Sequence, residues 1–335
     1  MTTRRRERAP GQRDRPRVTV GVPVFNGAQY VAAALESLVA QTFRDLEIVI
    51  VDNGSTDTTP ELLRAFAARD ARIRVERSEQ NRGAAWSHNR VVELARGELF
   101  RWATHDDATA PTYVERCVEA LDARPDAVMA RPRALEIDEE GRVLFEHEDA
   151  LDCGQADVRA RLAEVMLLHH PCFDVYGVVR TEALRRTALI GPYPSSDRVL
   201  LAELALLGPW VRVAAPLFLH RQHPERSVRK FPNRRERALW FDPSLSGKLQ
   251  LPLWRLGGEY WAGVRRARLS LRDTLRCGAL LAPWAWRERR SLVGDVYVAL
   301  RQLLTGERTR LADERAAHAP AGARAARVGE PAIRG

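Results

Sequence analysis

The stretch VTVGVPVFNGAQYVAAALESLVAQTFRDLEIVIVDNGSTD, residues 18–57, decides the fold class. Two apolar runs, at 17–22 and 46–51, have the character of buried strands, and the segment 27–42 between them carries apolar residues at helical spacing. The strands lead into the turn-forming clusters PVFNG (23–27) and DNGSTD (52–57). Strand, helix and strand in this order predict a parallel unit with both faces covered.

The alternation continues outward from this stretch to residue 107. Its further predicted elements are a helix after Thr58, strands at 71–77 and 98–104, and a helix at 83–97 that ends on Gly97. The first half therefore predicts an α/β fold with a mostly parallel sheet. Ligands of such sheets bind beyond the carboxyl ends of the strands. The polar clusters at Asn26, 52–57 and 105–107 mark that edge.

The second half has a less regular pattern. It predicts helices at 157–170 and 196–208, one or two strands at 210–220, and a helical, aromatic and basic region at 238–304. Residues 1–16 are rich in Arg and Pro, and residues 306–335 are rich in Ala, Arg and Gly with little apolar periodicity. Both ends are predicted to be disordered.

The composition is that of a globular protein with a basic surface. Of the 335 residues, 45% are apolar and 29% charged, and the formal net charge of +9 is carried almost wholly by arginine. A basic balance suits nucleic acid, an anionic membrane surface or a phosphorylated small molecule. The excess of arginine can equally reflect the base composition of the genome.

The cysteines and the N-terminal segment indicate a reducing compartment. Cys117, Cys153, Cys172 and Cys277 lack the spacing of a zinc site or of a disulfide framework. The N-terminal segment is charged and has no apolar run of a signal peptide, and no run of about 18 apolar residues occurs. We expect a cytoplasmic protein.

The segment RWATHDDATAP, residues 101–111, places His105, Asp106 and Asp107 in a row after a predicted strand. One of the acids could cap a helix beginning near Pro111, the group could form a solvated turn, or the histidine could be a packed core residue. Adjacent carboxylates repel each other, and no arginine or lysine follows them closely. A divalent cation, Mg²⁺ or Mn²⁺, is the interpretation that this pattern favours.

Three segments in order carry a resemblance to a known family. The opening stretch, then NRG (81–83), then ARGELFRWATHDDATAPTYVER (95–116), resemble glycosyltransferase family 2 on a GT-A fold. The resemblance is strong over residues 17–120 and looser to 230. It implies a Rossmann-like, mostly parallel sheet flanked by helices. The implied domains are a GT-A domain at 17–230, divided into a nucleotide-sugar half (17–107) and an acceptor half (108–230), and a helical extension at 231–305.

The resemblance also implies a donor site for a UDP-, dTDP- or GDP-sugar. It places Pro23, Phe25 and Asp52 near the nucleobase and ribose, and Asn53 stands where many members have a second aspartate. The expected donor-binding set is Pro23, Phe25, Asn26, Asp52, Asn53, Asn81, Asp106 and Arg221.

At the implied metal site, Thr104-His105-Asp106 aligns with the D-x-D triplet of many members, so the first acid is absent. Asp106 is then the preferred ligand, with Asp107 as partner or as a contact to a sugar hydroxyl. In HRQHPERS (220–227), His223 is expected to ligate the cation, and Arg221 or Arg226 to bind phosphate oxygens. A solvated basic loop is the alternative there.

Members that invert the anomeric centre use an acid of the acceptor half as base. The matching place is GPYPSSDRVLLAELALLG, where Asp197 is the candidate. Its alternative role is to cap the following helix, in competition with Ser195 or Ser196.

The expected function is inverting, metal-assisted sugar transfer to a hydroxyl acceptor, in glycan, lipid-linked or secondary-metabolite assembly. A sugar nucleotidyltransferase is disfavoured because GVPVFNG lacks the basic residue of that signature, and a nucleic-acid-binding protein because the arginines are spread along the chain. The basic C-terminal helices are expected to contact the inner face of a membrane peripherally, to form a homodimer or to shield the site. No Q-x-x-R-W motif of a processive membrane synthase occurs.

Overall fold

The computed structural model describes residues 15–148, 150–231 and 233–306. The predicted disordered ends lie outside these residues, apart from positions 15, 16 and 306. Within them, nine strands form one mixed sheet with helices on both faces. The strands are β1 Val18–Val24, β2 Leu46–Asp52, β3 Ile73–Arg77, β4 Leu99–Trp102, β5 Ala108–Thr109, β6 Met129–Ile137, β7 Val143–Glu146, β8 Val178–Arg180 and β9 Trp210–Arg221.

Twelve α-helices are found in the same part of the chain. They are α1 Val31–Val39, α2 Thr59–Arg69, α3 Ala84–Glu93, α4 Tyr113–Ala123, α5 Val158–Leu167, α6 Thr181–Arg185, α7 Ser196–Leu207, α8 Ser227–Lys230, α9 Arg234–Phe241, α10 Pro252–Arg266, α11 Leu271–Gly278 and α12 Leu281–Thr305. The turns Phe173–Tyr176 and Pro243–Leu245 are 3₁₀-helical. No helix of this set is both long enough and apolar enough to cross a bilayer.

The strand order is β3-β2-β1-β4-β8-β6-β9-β5, and β7 pairs with β6. Strands β3, β2, β1 and β4 are mutually parallel, as the sequence predicts. In the second half only β6 and β9 run parallel, because β8, β5 and β7 each pair antiparallel. The sheet as a whole is therefore mixed, and the expectation of a mostly parallel sheet holds for its first four strands.

The two faces of the sheet support separate apolar layers. Along β2, Ile48 and Ile50 pack in the layer of α1, α2 and α4, whereas Val49 and Val51 pack in the layer that includes α3, α5, α7 and α10. Adjacent residues of a strand point to opposite faces, so both layers must be apolar. This explains why β2 is apolar at every position from Ile48 to Val51, whereas the four valines of β1 all lie in the layer of α1, α2 and α4.

The end of α3 corrects one prediction. The helix ends at Glu93 with Leu94 as its C-terminal cap, so Gly97 does not cap it. A Cβ atom at Gly97 would lie 2.5 Å from the backbone nitrogen of Thr19. The glycine is needed because the chain passes closely over β1 as it enters β4.

The C-terminal helices are part of the main apolar layer. Helix α10 packs on α7, and α12 packs on α10 and α5. The ring of Trp284 is 5% exposed and meets Tyr260 edge-on, with centroids 5.7 Å apart. A Cβ atom at Gly257 would lie 2.8 Å from that indole. Core packing, the use that the sequence favours for most of the tryptophans Trp254, Trp261, Trp284 and Trp286, is found for Trp284 but not for the other three, which are exposed.

We expect Trp284→Ala to lower the free energy of unfolding by about 3–5 kcal/mol, because it removes a buried indole between two helices. Urea denaturation followed by circular dichroism measures the change. Trp286→Ala, on the same helix but 70% exposed, is the matched control and should stay within about 0.5 kcal/mol of the wild type. Equal effects of the two substitutions would show that α12 does not belong to the core.

Candidate functional site

The turns that follow β1 and β2 are bonded to each other. Asn26 has a left-handed backbone (φ 50), and its Oδ1 accepts a hydrogen bond from the Thr56 backbone nitrogen at 2.8 Å. Its own backbone nitrogen donates to Ser55 Oγ at 2.9 Å. The backbone nitrogen of Gly27 donates to Thr59 Oγ1 at 2.9 Å. The two clusters singled out in the sequence therefore form one rigid rim at the carboxyl ends of the strands.

Asp52 lies at the base of this rim and is 1% exposed. Its Oδ1 accepts a hydrogen bond from the Ser55 backbone nitrogen at 2.9 Å. Its Oδ2 stands 3.2 Å from Arg77 Nε but accepts a hydrogen bond from none of the described residues. On the neighbouring strand β1, Pro23 is buried and pairs with Val51, the residue before Asp52. Phe25, just after the end of β1, is half-buried. An oxygen with spare accepting capacity thus lies beside an apolar ledge.

Asn53 and Asn81 hold a second loop to the rim. The Asn53 Nδ2 group donates to Asn81 Oδ1 and to the carbonyl of Gly83, both at 3.0 Å, and Asn53 Oδ1 accepts from the Arg82 backbone nitrogen at 2.9 Å. Asn81 Oδ1 also accepts from the Gly83 backbone nitrogen at 2.8 Å. The Asn53 amide is thus engaged in shaping the loop.

The acidic segment after β4 is joined to the end of β9. Asp107 Oδ1 accepts hydrogen bonds from the Arg221 backbone nitrogen at 2.8 Å and from His220 Nδ1 at 3.0 Å. Its Oδ2 accepts from Thr104 Oγ1 at 2.7 Å. Asp106 Oδ2 lies 3.0 Å from His223 Nε2. Thr104, in the position where an acid was expected, therefore orients Asp107.

This geometry decides between the alternatives for the segment. Helix α4 is preceded by Thr112 and has no side-chain cap, so neither acid caps it. Asp107 is 6% exposed, which excludes a solvated turn. His105 packs toward the rim, since a Cβ atom at Gly27 would lie 2.7 Å from its ring. The rim and the acidic segment therefore form one site.

Asp106 remains ionised despite its burial. Burial by itself raises the pKa of its carboxyl, but the charges of His105 and His223 and the His223 hydrogen bond outweigh burial and hold that pKa well below its ordinary value. His223 is 3% exposed, and its Nδ1 has no hydrogen-bond partner among the described residues. Asp106 and His223 thus form a hydrogen-bonded carboxylate–imidazole pair.

Arg221 links the backbone of the acidic segment to the backbone at residues 138 and 139. Its Nε donates to the Asp106 carbonyl at 3.0 Å, and one of its terminal nitrogens donates to the carbonyls of Asp138 and Glu139. Its guanidinium lies 5.6 Å from the ring centroid of Tyr30. The residue therefore brings a buried positive charge to the site while most of its donors are used by the backbone.

Asp197 lies in the first turn of α7, where Ser195 precedes the helix without a side-chain cap. Asp197 Oδ1 accepts a hydrogen bond from the Arg198 backbone nitrogen at 2.9 Å, and the nearby Cys172 thiol also favours the charged carboxylate. Burial raises the pKa of Asp197 against these stabilising contacts. Asp197 and Asp106 are therefore two carboxylates with oppositely shifted pKa values.

Tyr176 connects the two carboxylates in space. Burial raises the pKa of its phenol, and Asp107, Asp106 and Asp197 all add to that increase, so all three acids lie near its ring. Asp197 and the acidic segment therefore both lie within range of charge interaction with Tyr176.

The structure adds residues that sequence reasoning missed. His220 and Tyr176 support the acidic segment, and Arg198 donates to the His170 carbonyl at 2.7 Å, which fixes the loop that carries Cys172. Burial lowers the pKa of His170 to about 4, so this histidine is neutral. In the sequence, only the HRQH motif indicated a role for His220. A single sequence contains no comparable signal for Tyr176 or Arg198.

Helix α9 and the turn after it border the pocket. A Cβ atom at Gly83 would lie 2.4 Å from the Phe241 carbonyl oxygen, and Arg237 is close enough to Asp197 for the two charges to interact. The end of α9 thus lies against the loop that carries Gly83, and Arg237 of α9 lies within charge range of Asp197.

This chain is similar in sequence to known glycosyltransferases. The family model of glycosyl transferase family 2 matches residues 19–189. A glycosyltransferase of Streptococcus pneumoniae, GlyG, is 35% identical over 32% of this chain and 36% of its own, and an uncharacterized glycosyltransferase of Haemophilus influenzae is 27% identical over 62% of this chain and 66% of its own. The chain thus spans about a third of the length of the first of these relatives.

A solved structure shares the fold. The crystal structure of TarS residues 1–349 from S. aureus, in complex with UDP-GlcNAc, superposes with a TM-score of 0.53 at 16% identity and covers 88% of this chain and 93% of that one. The family model extends over half of the 335 residues and includes the rim, the acidic segment and the strands beneath them. The chain belongs to glycosyltransferase family 2 and has its GT-A fold.

Proposed function

We propose that this protein transfers a sugar from a nucleoside diphosphate to a hydroxyl acceptor with inversion at the anomeric carbon. The observation that carries the proposal is the pair Asp106 and Asp197, two carboxylates whose charges both act on Tyr176 and whose pKa values are shifted in opposite directions. Such a pair separates an acid that must stay ionised from one that can take up a proton.

The donor's nucleoside is proposed to bind at the rim. Asp52 Oδ2 can accept a hydrogen bond from a ribose hydroxyl or a base N–H, and Pro23 and Phe25 form the apolar ledge for the base. Asn26, Asn53 and Asn81 shape the loops around it. UDP-, dTDP- and GDP-sugars are the candidate donors, and the TarS structure contains UDP-GlcNAc.

The residues present fit a divalent cation that would take some of its ligands from the protein and the others from the diphosphate of the donor. Asp106 and His223 would hold Mg²⁺ or Mn²⁺, while Asp107 braces them because its oxygens already accept three hydrogen bonds. No group of three or more His, Cys, Asp or Glu side chains suited to a metal occurs in the described part of the chain, so oxygens of the diphosphate would complete the shell. When bound, the cation supplies positive charge against the departing diphosphate.

Asp197 is proposed as the general base. Its carboxylate takes the proton of the acceptor hydroxyl while that oxygen forms a bond to the anomeric carbon. The bond from this carbon to the diphosphate oxygen breaks on the opposite face, and the nucleoside diphosphate leaves with the electron pair. Arg221 adds fixed positive charge near the leaving group.

The acceptor is proposed to be a hydroxyl of a growing glycan, a lipid-linked saccharide or a secondary metabolite. The cytoplasm, including the inner face of the membrane, is the proposed place of action. A homodimer is the alternative use of the C-terminal helices.

We expect Asp106→Asn to lower kcat/KM on the order of 10²-fold, because the substitution removes the carboxylate that would hold the divalent cation against the diphosphate. Release of nucleoside diphosphate from a panel of UDP-, dTDP- and GDP-sugars with Mn²⁺ present measures the change. Asp126→Asn, an exposed acid paired with Arg124, is the control. Equal turnover by wild type and Asp106→Asn would refute the role of Asp106.

We expect Asp197→Asn to keep nucleoside diphosphate binding while kcat falls by roughly 10²–10⁴-fold, the usual contribution of a positioned base. Calorimetry measures the binding and a transfer assay the rate. Loss of nucleotide binding in this variant would indicate a structural role instead.

The pH dependence gives a separate test of the base. A base works when deprotonated, and burial raises the pKa of Asp197, so wild-type kcat should fall on acidification at a higher pH than an ordinary aspartate would give. That acidic limb should disappear from the residual activity of Asp197→Asn. Its persistence would assign the titration to another group.

A further inference from the structure

One face of α12 is exposed and largely apolar. We call the α12 face the set Trp286, Arg289, Arg290, Val293, Val296, Tyr297, Leu300, Leu303 and Leu304. These positions recur at spacings of three and four, so they lie on one side of the helix. Every member is exposed, up to 87% at Leu304. The opposite side, with Trp284, Leu292 and Ala299, is buried in the core.

The acidic side chains of α12 lie outside the α12 face. The α12 face holds Arg289 and Arg290 but no acid. The two acids of the helix lie elsewhere. Asp295 is buried, pairs with Arg235 at 3.2 Å and accepts a hydrogen bond from the Leu253 backbone nitrogen. Glu288 is half-buried and pairs with Arg287.

Aromatic side chains stand among the exposed residues. The Arg289 guanidinium stacks on the indole of Trp286 with its carbon 4.5 Å from the ring centroid. Trp254 of α10 is also exposed, and its Nε1 donates to the Leu292 carbonyl of α12 at 3.1 Å. Tryptophan and arginine are typical of side chains at the level of lipid headgroups, where an apolar ring meets a polar boundary.

We infer that the α12 face binds the surface of an anionic lipid bilayer. The apolar turns 293–304 would enter the boundary between headgroups and acyl chains, and Arg289 and Arg290 would pair with lipid phosphates. The charge distribution favours this partner over a second copy of the chain. Two copies joined through this face would place arginines against apolar side chains or against each other, with no acid of either α12 face to pair with them.

The helix would lie on the membrane and not cross it, consistent with the finding on spanning helices. A bilayer interface attracts an amphipathic helix through buried apolar area and through the charge of anionic lipids together. The inference does not depend on sugar transfer, so membrane binding and catalysis can fail independently.

Co-sedimentation of the full chain with vesicles tests the inference. Vesicles of phosphatidylcholine alone are compared with vesicles that also contain phosphatidylglycerol, at low and high salt. We expect binding only with the anionic lipid, and weaker binding at high salt. Arg289→Gln with Arg290→Gln should weaken binding by about fivefold per arginine removed. Leu300→Ser with Leu304→Ser should weaken it further, since apolar burial is lost.

The control is a second exposed apolar segment. Val143, Leu144 and Phe145 of β7 are each at least half exposed, and Leu144→Ser with Phe145→Ser should leave vesicle binding unchanged. Thermal melting followed by circular dichroism confirms that each variant is folded.

Two results would overturn the inference. One is absence of binding to anionic vesicles, or binding that the α12 substitutions leave intact. The other is a homodimer in light scattering that Leu300→Ser with Leu304→Ser converts to monomer, since this would assign the face to a second copy.

Discussion

The site depends on the carboxylate of Asp107. It is buried directly before β5 and accepts hydrogen bonds from the Arg221 backbone, from His220 and from Thr104. These bonds hold the end of β9 against the acidic segment. Asp107 and Arg221, which they join, are more than a hundred positions apart in the chain. Because β9 is fixed there, His223 meets Asp106, and Arg221 turns its charge toward the pocket. A buried carboxylate requires such partners to remain stable.

The sheet makes this arrangement specific. Parallel strands bring β1, β2 and β4 to a common edge, so three turns separated in sequence become neighbours. The antiparallel return through β8 and the long β9 then bring the acceptor half to the same edge. Asp197 lies in the first turn of α7, and burial raises the pKa of its carboxyl, as the proposed role of a base requires. The residues proposed for the donor and for the acceptor thus come from the two halves of the chain.

The sequence predicted most of the first half because its signals are local. Apolar runs such as 46–51 and the turn cluster DNGSTD depend on neighbours along the chain, and the strands appear where they were expected. Gly97 was misassigned as a cap because a glycine that permits close approach to β1 looks the same in sequence. Tyr176, His220 and Arg198 could not be assigned, since their roles come from contacts across the sheet. The order β8, β6, β9 follows from tertiary packing, which no periodicity records.

The most direct test of the central claim is calorimetric titration of the purified protein with UDP, dTDP and GDP, with and without Mn²⁺. The account predicts that at least one nucleoside diphosphate binds, that Mn²⁺ strengthens its binding, and that Asp106→Asn removes this strengthening. Absence of binding to all three with Mn²⁺ present would contradict the account, because a donor site at the rim and the acidic segment could not then exist.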